Sequence, residues 1–205
     1  MKKLLKILII IFVVVMLSAV FLPKQVGYIV MNITEPFETL DEKYFFNKPE
    51  SFQTSFIKVY KKERELELYC DDILVGLFKI GLGGSPIGDK NKEGDQKTPN
   101  GSYYICTRVT KTSYTLFMGI SYPNIEDANR NKASINDNTY NTIKTKIERY
   151  ELPPWNTPLG GAIGIHGGGD KRDWTAGCIA VSDDAIKILW EHTDYKTPVD
   201  IFESR

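Results

Sequence analysis

Cysteine and histidine are scarce in this chain, with three thiols and two imidazoles among 205 residues. That scarcity argues against a structural zinc centre, which takes four ligands from paired Cys or His at short spacing. Nucleotide-binding signatures are missing too. "GLGGSPIGDK" (Gly81–Lys90) has the glycines of a phosphate loop but not its terminal Gly-Lys-Ser/Thr, and no apolar helix follows. It reads as turns linking strands. Charge of one sign is absent, because 26 Lys and Arg balance 26 Asp and Glu. Neither a nucleic-acid partner nor an acidic solvating role is therefore indicated. No internal repeat or low-complexity segment stands out. An apolar content of 42% and a charged content of 25% suit an ordinary globular chain, and the length suits one domain with appendages.

One long apolar run is present, at the amino end. "MKKLLKILIIIFVVVMLSAVFL" sets Lys2, Lys3 and Lys6 before sixteen uncharged residues, Ile7 to Leu22. The run is at the short edge of what crosses a bilayer core of roughly 30 Å, and Lys6 can snorkel to extend it. A secretory signal peptide is the alternative. Cleavage after Ala19 or Ser18 would put Leu17 or Met16 where a small residue is wanted, which favours an uncleaved anchor. The expected organisation is a membrane helix at 1–22, a stalk at 23–50 with Pro23, Pro36 and Pro49, and a catalytic domain at 51–205. The lysines should stay in the cytoplasm, so the protein is expected in the cell membrane, single-pass, with the domain outside.

From Ser51 the pattern is that of strands. "FIKVYKKERELELYC" alternates around Ile57, Val59, Leu66 and Leu68, with "KKERE" as a hairpin connection. "ILVGLFKIGLG", "GSYYICTRVT", a short run through Ala162–Ile165 and "TPVDIF" read as further strands. Residues 125–150 are polar, with Ile143 and Ile147 at helical spacing, and read as a helical or partly mobile insertion. After Cys178, Ser182 is a good helix N-cap, with Asp183 and Asp184 in the first turn and an apolar stripe at Ile186, Leu189 and Trp190. The core is expected to be mainly β with short helices. Cys70 and Cys106 stand in strand-like contexts, as buried thiols or as a disulfide.

The remaining thiol is in "GIHGGGDKRDWTAGCIAV", where His166 and Cys178 share one glycine-rich stretch. Asp170 and Asp173 could add oxygen ligands, but no second Cys or His is near, so a metal is not expected. A thiol nucleophile with its base explains the residue types better. An ordinary thiol gives little thiolate at neutral pH, and an imidazole in reach can take its proton and pass it to a leaving amine. Gly177 lets the chain turn into Cys178, so the N–H groups of Gly177 and Cys178 can face a developing oxyanion. Gly167, Trp174 and Thr175 are candidate substrate contacts in the connecting loop. Thiol, imidazole and backbone amides suffice for acyl transfer, so no cofactor is expected.

"IHGGGDKRDWTAGCIAVS" resembles the signature of the L,D-transpeptidase catalytic domain, the YkuD-like family: a His-Gly, a variable loop, then Ser/Thr-x-Gly-Cys. "GLGGSPIGDKNKEGDQKTPNGSYYI", "SYPN" and "TPLGGAIGIHGGG" are similar to other stretches of that family in similar order, over roughly residues 55–203. The resemblance implies a β-sandwich or barrel-like catalytic domain acting on peptidoglycan stem peptides, with Cys178 as nucleophile and His166 as base. It also implies cross-linking through a thioester with release of D-alanine, and acylation by carbapenem-type inhibitors. Water as acceptor would make the enzyme an L,D-carboxypeptidase on the same stems. Other readings are a catalytically silent wall-binding domain, or a redox-sensing thiol resolved by Cys70 or Cys106. Many members carry an Arg two residues after the cysteine, where this chain has Ala180; Lys171 or Arg172 would then supply that charge.

Overall fold

The computed structural model describes residues 43–205. The expected anchor at 1–22 and most of the stalk lie outside the described residues. Among the described residues no helix is long and apolar enough to cross a membrane.

Among the described residues eight strands form one sheet: β1 (Ser55–Tyr60), β2 (Glu65–Cys70), β3 (Ile73–Lys79), β4 (Gly101–Val109), β5 (Phe117–Ile120), β6 (Gly164–His166), β7 (Ile179–Ala180) and β8 (Pro198–Phe202). Their order is β3-β2-β1-β8-β4-β5-β6-β7. The β1–β2 hairpin shows how the sequence dictates the register. Ile57 pairs with Leu68 and Val59 with Leu66, and all four side chains are fully buried. A slip of one residue would turn that set to solvent. Asp71 and Asp72 both adopt positive φ (48° and 63°), which suits the two-residue turn into β3. β1–β8 and β6–β7 are parallel, and the other pairs are antiparallel.

Past β3 the chain runs through Ile80 to Gly81, which exchanges two hydrogen bonds of 2.8 Å with Ala180 of β7. The two ends of the strand order therefore meet, and the sheet curls closed as a barrel-like core.

Among the described residues the sheet is accompanied by helices α1 (Ile125–Arg130), α2 (Asp137–Glu148) and α3 (Asp183–Glu191), with a 3-10 turn at Lys132–Ser134. Asn124 and Asp127 form a capping box on α1, Asn136 caps α2 and Ser182 caps α3. The insertion at 125–150 is thus helical, and Ile143 buries with Ala128 against Leu159 in a small separate cluster. α3 packs Ala185, Ile186, Ile188 and Leu189 into the main core. The chain enters that core before Ser51: Phe45 is buried, and Tyr44 stacks on Phe78 at 5.3 Å. The strand expected at Ala162–Ile165 falls instead at Gly164–His166, because Ala162 takes a left-handed φ of 53° that an extended strand does not admit. All three cysteines are free thiols.

Candidate active site

The parallel pairing of β6 with β7 sets His166 opposite Ala180. Cys178 stands immediately before β7. Side chains alternate along an extended chain, so Cys178 shares the face of Ala180 and hence of His166. Continuing that register sets Cys178 across from Gly164, two residues before His166 on the neighbouring chain segment.

His166 is 3% exposed. Its Nδ1 lies 2.6 Å from the carbonyl of Gly167. A carbonyl only accepts, so Nδ1 carries the proton and Nε2 keeps the lone pair. Aromatic rings enclose the imidazole, with centroids of Tyr114 at 4.4 Å, Trp174 at 5.6 Å and Phe117 at 6.5 Å. Burial among them holds the imidazole below its ordinary 6.5, and the Gly167 carbonyl opposes that shift only in part.

Cys178 is half-buried, and its thiol donates to the Ala162 carbonyl at 3.4 Å. Desolvation pushes the thiol up to about 11; the Gly164 N–H and the positive charge of Lys90 favour the thiolate without cancelling that effect. The resting pair at neutral pH is therefore a protonated thiol and a neutral imidazole, with the thiol turned toward Ala162.

The connecting loop is braced at each stage. Gly168 N–H donates to Asp183 Oδ1 at 2.9 Å, and Thr115 Oγ1 donates to the same oxygen at 2.6 Å. Trp174 Nε1 donates to the Gly169 carbonyl at 3.1 Å. The N–H groups of Trp174 and Thr175 both donate to Leu82 O, at 3.0 and 3.2 Å. Thr175 Oγ1 donates to the Cys178 carbonyl at 2.7 Å and accepts from Gly177 N–H at 3.1 Å. Gly177 needs to be glycine, with φ +140° and a Cβ position only 2.7 Å from Lys97 O.

Of the candidate residues, His166, Cys178, Gly167, Trp174, Thr175 and Gly177 all gather at the β6–β7 end. Trp174 packs edge-on against the imidazole. Gly167 is buried, its N–H bonding Tyr114 O at 3.0 Å. Thr175 is buried and its hydroxyl is used within the loop. Gly177 N–H, one of the two amides expected to face an oxyanion, is likewise engaged, by the Thr175 hydroxyl. Sequence reasoning passed over Tyr114 and Phe117, which stand in another hairpin, and Asp183, which reads as a first-turn helix acid. Ala180 is fully buried, so that position lends the site no polar group.

A cleft of about 690 Å³ opens on the outer side of the loop, lined by Gly168, Gly169, Lys171, Arg172, Trp174 and Asp183 among others. Cys178 and His166 do not line it. Among the described residues no three His, Cys, Asp or Glu side chains cluster as metal ligands. Asp173, an oxygen ligand in the metal reading, is paired with Arg64 instead.

The family model of the L,D-transpeptidase catalytic domain, YkuD, matches residues 54–201. No curated protein matches the chain. Among solved structures, Bdellovibrio bacteriovorus Bd1075 superposes with a TM-score of 0.50 at 22% identity, covering 78% of this chain and 51% of that one. The helical cell shape determining protein Pgp2 from Campylobacter jejuni gives a TM-score of 0.51 at 22% identity, covering 74% of this chain and 48% of that one. This chain thus spans about half the length of each, and at such identities the likeness speaks for the fold. The extent of the family match, together with a curled, mainly β domain that brings its His-Gly and Thr-x-Gly-Cys segments to one end, establishes that the chain belongs to the L,D-transpeptidase catalytic domain family.

Proposed function

We propose that the protein is a cysteine-dependent peptidoglycan L,D-transpeptidase, anchored in the cell membrane by residues 1–22 with its catalytic domain outside. The observation that carries this reading is the fixed tautomer of His166. Its Nδ1–H is committed to the Gly167 carbonyl, which leaves Nε2 as the basic atom, and the register of His166 with Ala180, two residues past Cys178, supports a thiol–imidazole pairing.

Rotation of the thiol away from Ala162 brings Sγ to the imidazole. Nε2 takes the thiol proton as sulfur attacks the carbonyl between the third stem residue and the terminal D-alanine. The Cys178 N–H supports the oxyanion, a contribution of about 3 kcal/mol in comparable sites; Gly177 N–H joins it when the Thr175 hydroxyl turns aside. Collapse of the intermediate breaks the C–N bond, and the imidazolium returns the proton to the departing D-alanine amine. The side-chain amine of a neighbouring stem then attacks the thioester carbonyl and yields its proton to Nε2; the C–S bond breaks, sulfur takes the proton back from the imidazolium, and the acyl group is left as a cross-link. Water in place of that amine gives the L,D-carboxypeptidase outcome. Trp174 with its cleft, and the cations Lys171 and Arg172, are the surfaces offered to the stem. No step needs a cofactor.

Muropeptide mapping of cells carrying C178A tests the reading, together with intact mass after incubation of the full chain with a carbapenem. Loss of cross-links between third residues and a carbapenem adduct located at Cys178 are expected. An unchanged profile and no adduct would favour the wall-binding alternative. Shortened stems without cross-links would assign the carboxypeptidase reaction.

A further inference from the structure

The loop that presents Cys178 is held at both ends by one short segment, Gly81–Gly84. Gly81 exchanges two hydrogen bonds with Ala180, beyond the cysteine. Leu82 O accepts from Trp174 and Thr175, and Gly84 N–H donates to Thr175 O at 3.0 Å, before it. The position of the sulfur relative to β6 thus depends on where this segment lies. Its one side-chain attachment to the loop's leading end is Asp173. Asp173 Oδ1 accepts from Leu82 N–H at 2.9 Å. The same carboxylate receives a two-pronged contact from Arg64, Nε to Oδ1 at 3.0 Å and Nη2 to Oδ2 at 2.7 Å. Arg64 is itself fixed in the β1–β2 turn, donating through Nη1 to Lys61 O and accepting Ile80 N–H on its own carbonyl at 3.0 Å.

We infer that Arg64 and Asp173 are a positioning pair for the acyl-transfer site: their fork joins the β1–β2 turn, the Gly81–Gly84 segment and the nucleophile loop into one unit. The inference rests on the acyl-transfer reading for its effect on turnover. Neither residue touches the reacting atoms. A fork of this kind fixes angle as well as distance, which a single point charge does not. Burial raises the tendency of Asp173 to hold a proton, but Arg64 and the Leu82 N–H outweigh it and keep the carboxyl below its ordinary 3.8. The fork is therefore intact at neutral pH. Loosening it has two opposite consequences. Turnover falls, because displacement of a nucleophile by about 1 Å costs on the order of 100-fold. The sulfur, now better hydrated, ionises more readily than in its desolvated resting state.

The test uses the full chain as D173N, R64Q and the double variant. D-alanine release from a tetrapeptide stem gives kcat and KM, and iodoacetamide alkylation at Cys178, located by peptide mass, is followed against pH. Expected are a kcat lowered about 10- to 100-fold with KM changed less than about twofold, and an alkylation midpoint moved to lower pH. The double variant should be no worse than the weaker single, since both remove one interaction. Turnover and alkylation midpoint both unchanged would overturn the inference. So would parallel losses of turnover, alkylation and melting temperature, which would mark general unfolding. If the wild-type chain releases no D-alanine and takes no carbapenem while the alkylation midpoint still moves, the positioning pair stands and the acyl-transfer reading falls.

Discussion

At the scale of single residues, the proposed nucleophile, Cys178, and the proposed base, His166, are both neutral at rest. Burial holds His166 below 6.5 and pushes Cys178 up to about 11, so proton transfer accompanies attack instead of preceding it. kcat/KM should therefore rise with pH along a limb centred below 6.5 and be level at neutral pH; a limb centred above that value would contradict the assignment of His166 as base. The same depressed pKa makes the unfolded chain bind more protons between the folded value and 6.5. His166 thus contributes stability that is complete above 6.5 and declines as pH falls through the folded value. His166→Ala should lower the rate by about 10²- to 10⁴-fold. Ala180 is fully buried, and the cations proposed to meet a substrate carboxylate are Lys171 and Arg172, both exposed on the cleft. The double charge reversal K171E/R172E should raise KM by about 3- to 10-fold with kcat changed little, measured by D-alanine release at low salt. An unchanged KM would remove them from that role.

At the scale of elements, the nucleophile loop is shaped by one glycine whose replacement meets two obstacles at once. A Cβ at Gly177 would stand 2.7 Å from Lys97 O and 2.9 Å from Ile163 Cδ1, at φ +140°. Gly177→Ala should cost about 1–3 kcal/mol and abolish carbapenem acylation. Gly169→Ala shares the positive φ (+111°) but meets nothing within 4 Å, so acylation should survive it; equal loss in both variants would mean that backbone strain, not the collision, decides. How far elements were legible follows from what each one advertises. The β1–β2 hairpin shows its period through Ile57, Val59, Leu66 and Leu68, and α3 shows its cap through Ser182, so both were readable. β6 was misplaced because nothing in the letters of Ala162 reports a left-handed φ. His166 and Cys178, whose roles are proposed, were readable as candidates from residue type and spacing. Tyr114, Phe117 and Arg64 were not, since each joins the site only through the β5–β6 pairing or the closure of the sheet at Gly81. Long-range neighbours of that kind leave no local mark in a single sequence.

At the scale of the whole molecule, the buried Lys90–Asp95 ion pair gathers the loop that backs the nucleophile segment. Asp95 Oδ1 accepts from Lys90 Nζ at 2.8 Å and Lys97 N–H at 3.1 Å, and its Oδ2 accepts from Asn91 and Lys92 N–H at 2.8 and 3.1 Å. The loop so gathered donates Glu93 N–H to Pro158 O at 2.9 Å, and its Lys97 carbonyl backs Gly177. Burial works against ionisation of Asp95, yet Lys90 and the three N–H groups outweigh it and hold the carboxyl at about 2, against an ordinary 3.8. The folded pKa lies below the unfolded one, so the stabilisation is complete above that ordinary value and is lost as pH falls toward the folded one. The difference corresponds to roughly 2–3 kcal/mol at neutral pH. D95N should cost more than this, about 3–5 kcal/mol, because it also strands the Lys90 ammonium, which is 2% exposed. Urea unfolding across the acid range would separate the two contributions. The wild-type stability should fall more steeply than that of D95N as pH drops below 3.8, by about 2–3 kcal/mol in total. Parallel curves would show that Asp95 is not the acid-sensitive group. Because the same loop backs Gly177, carbapenem acylation of D95N near neutral pH should slow before the fold is lost.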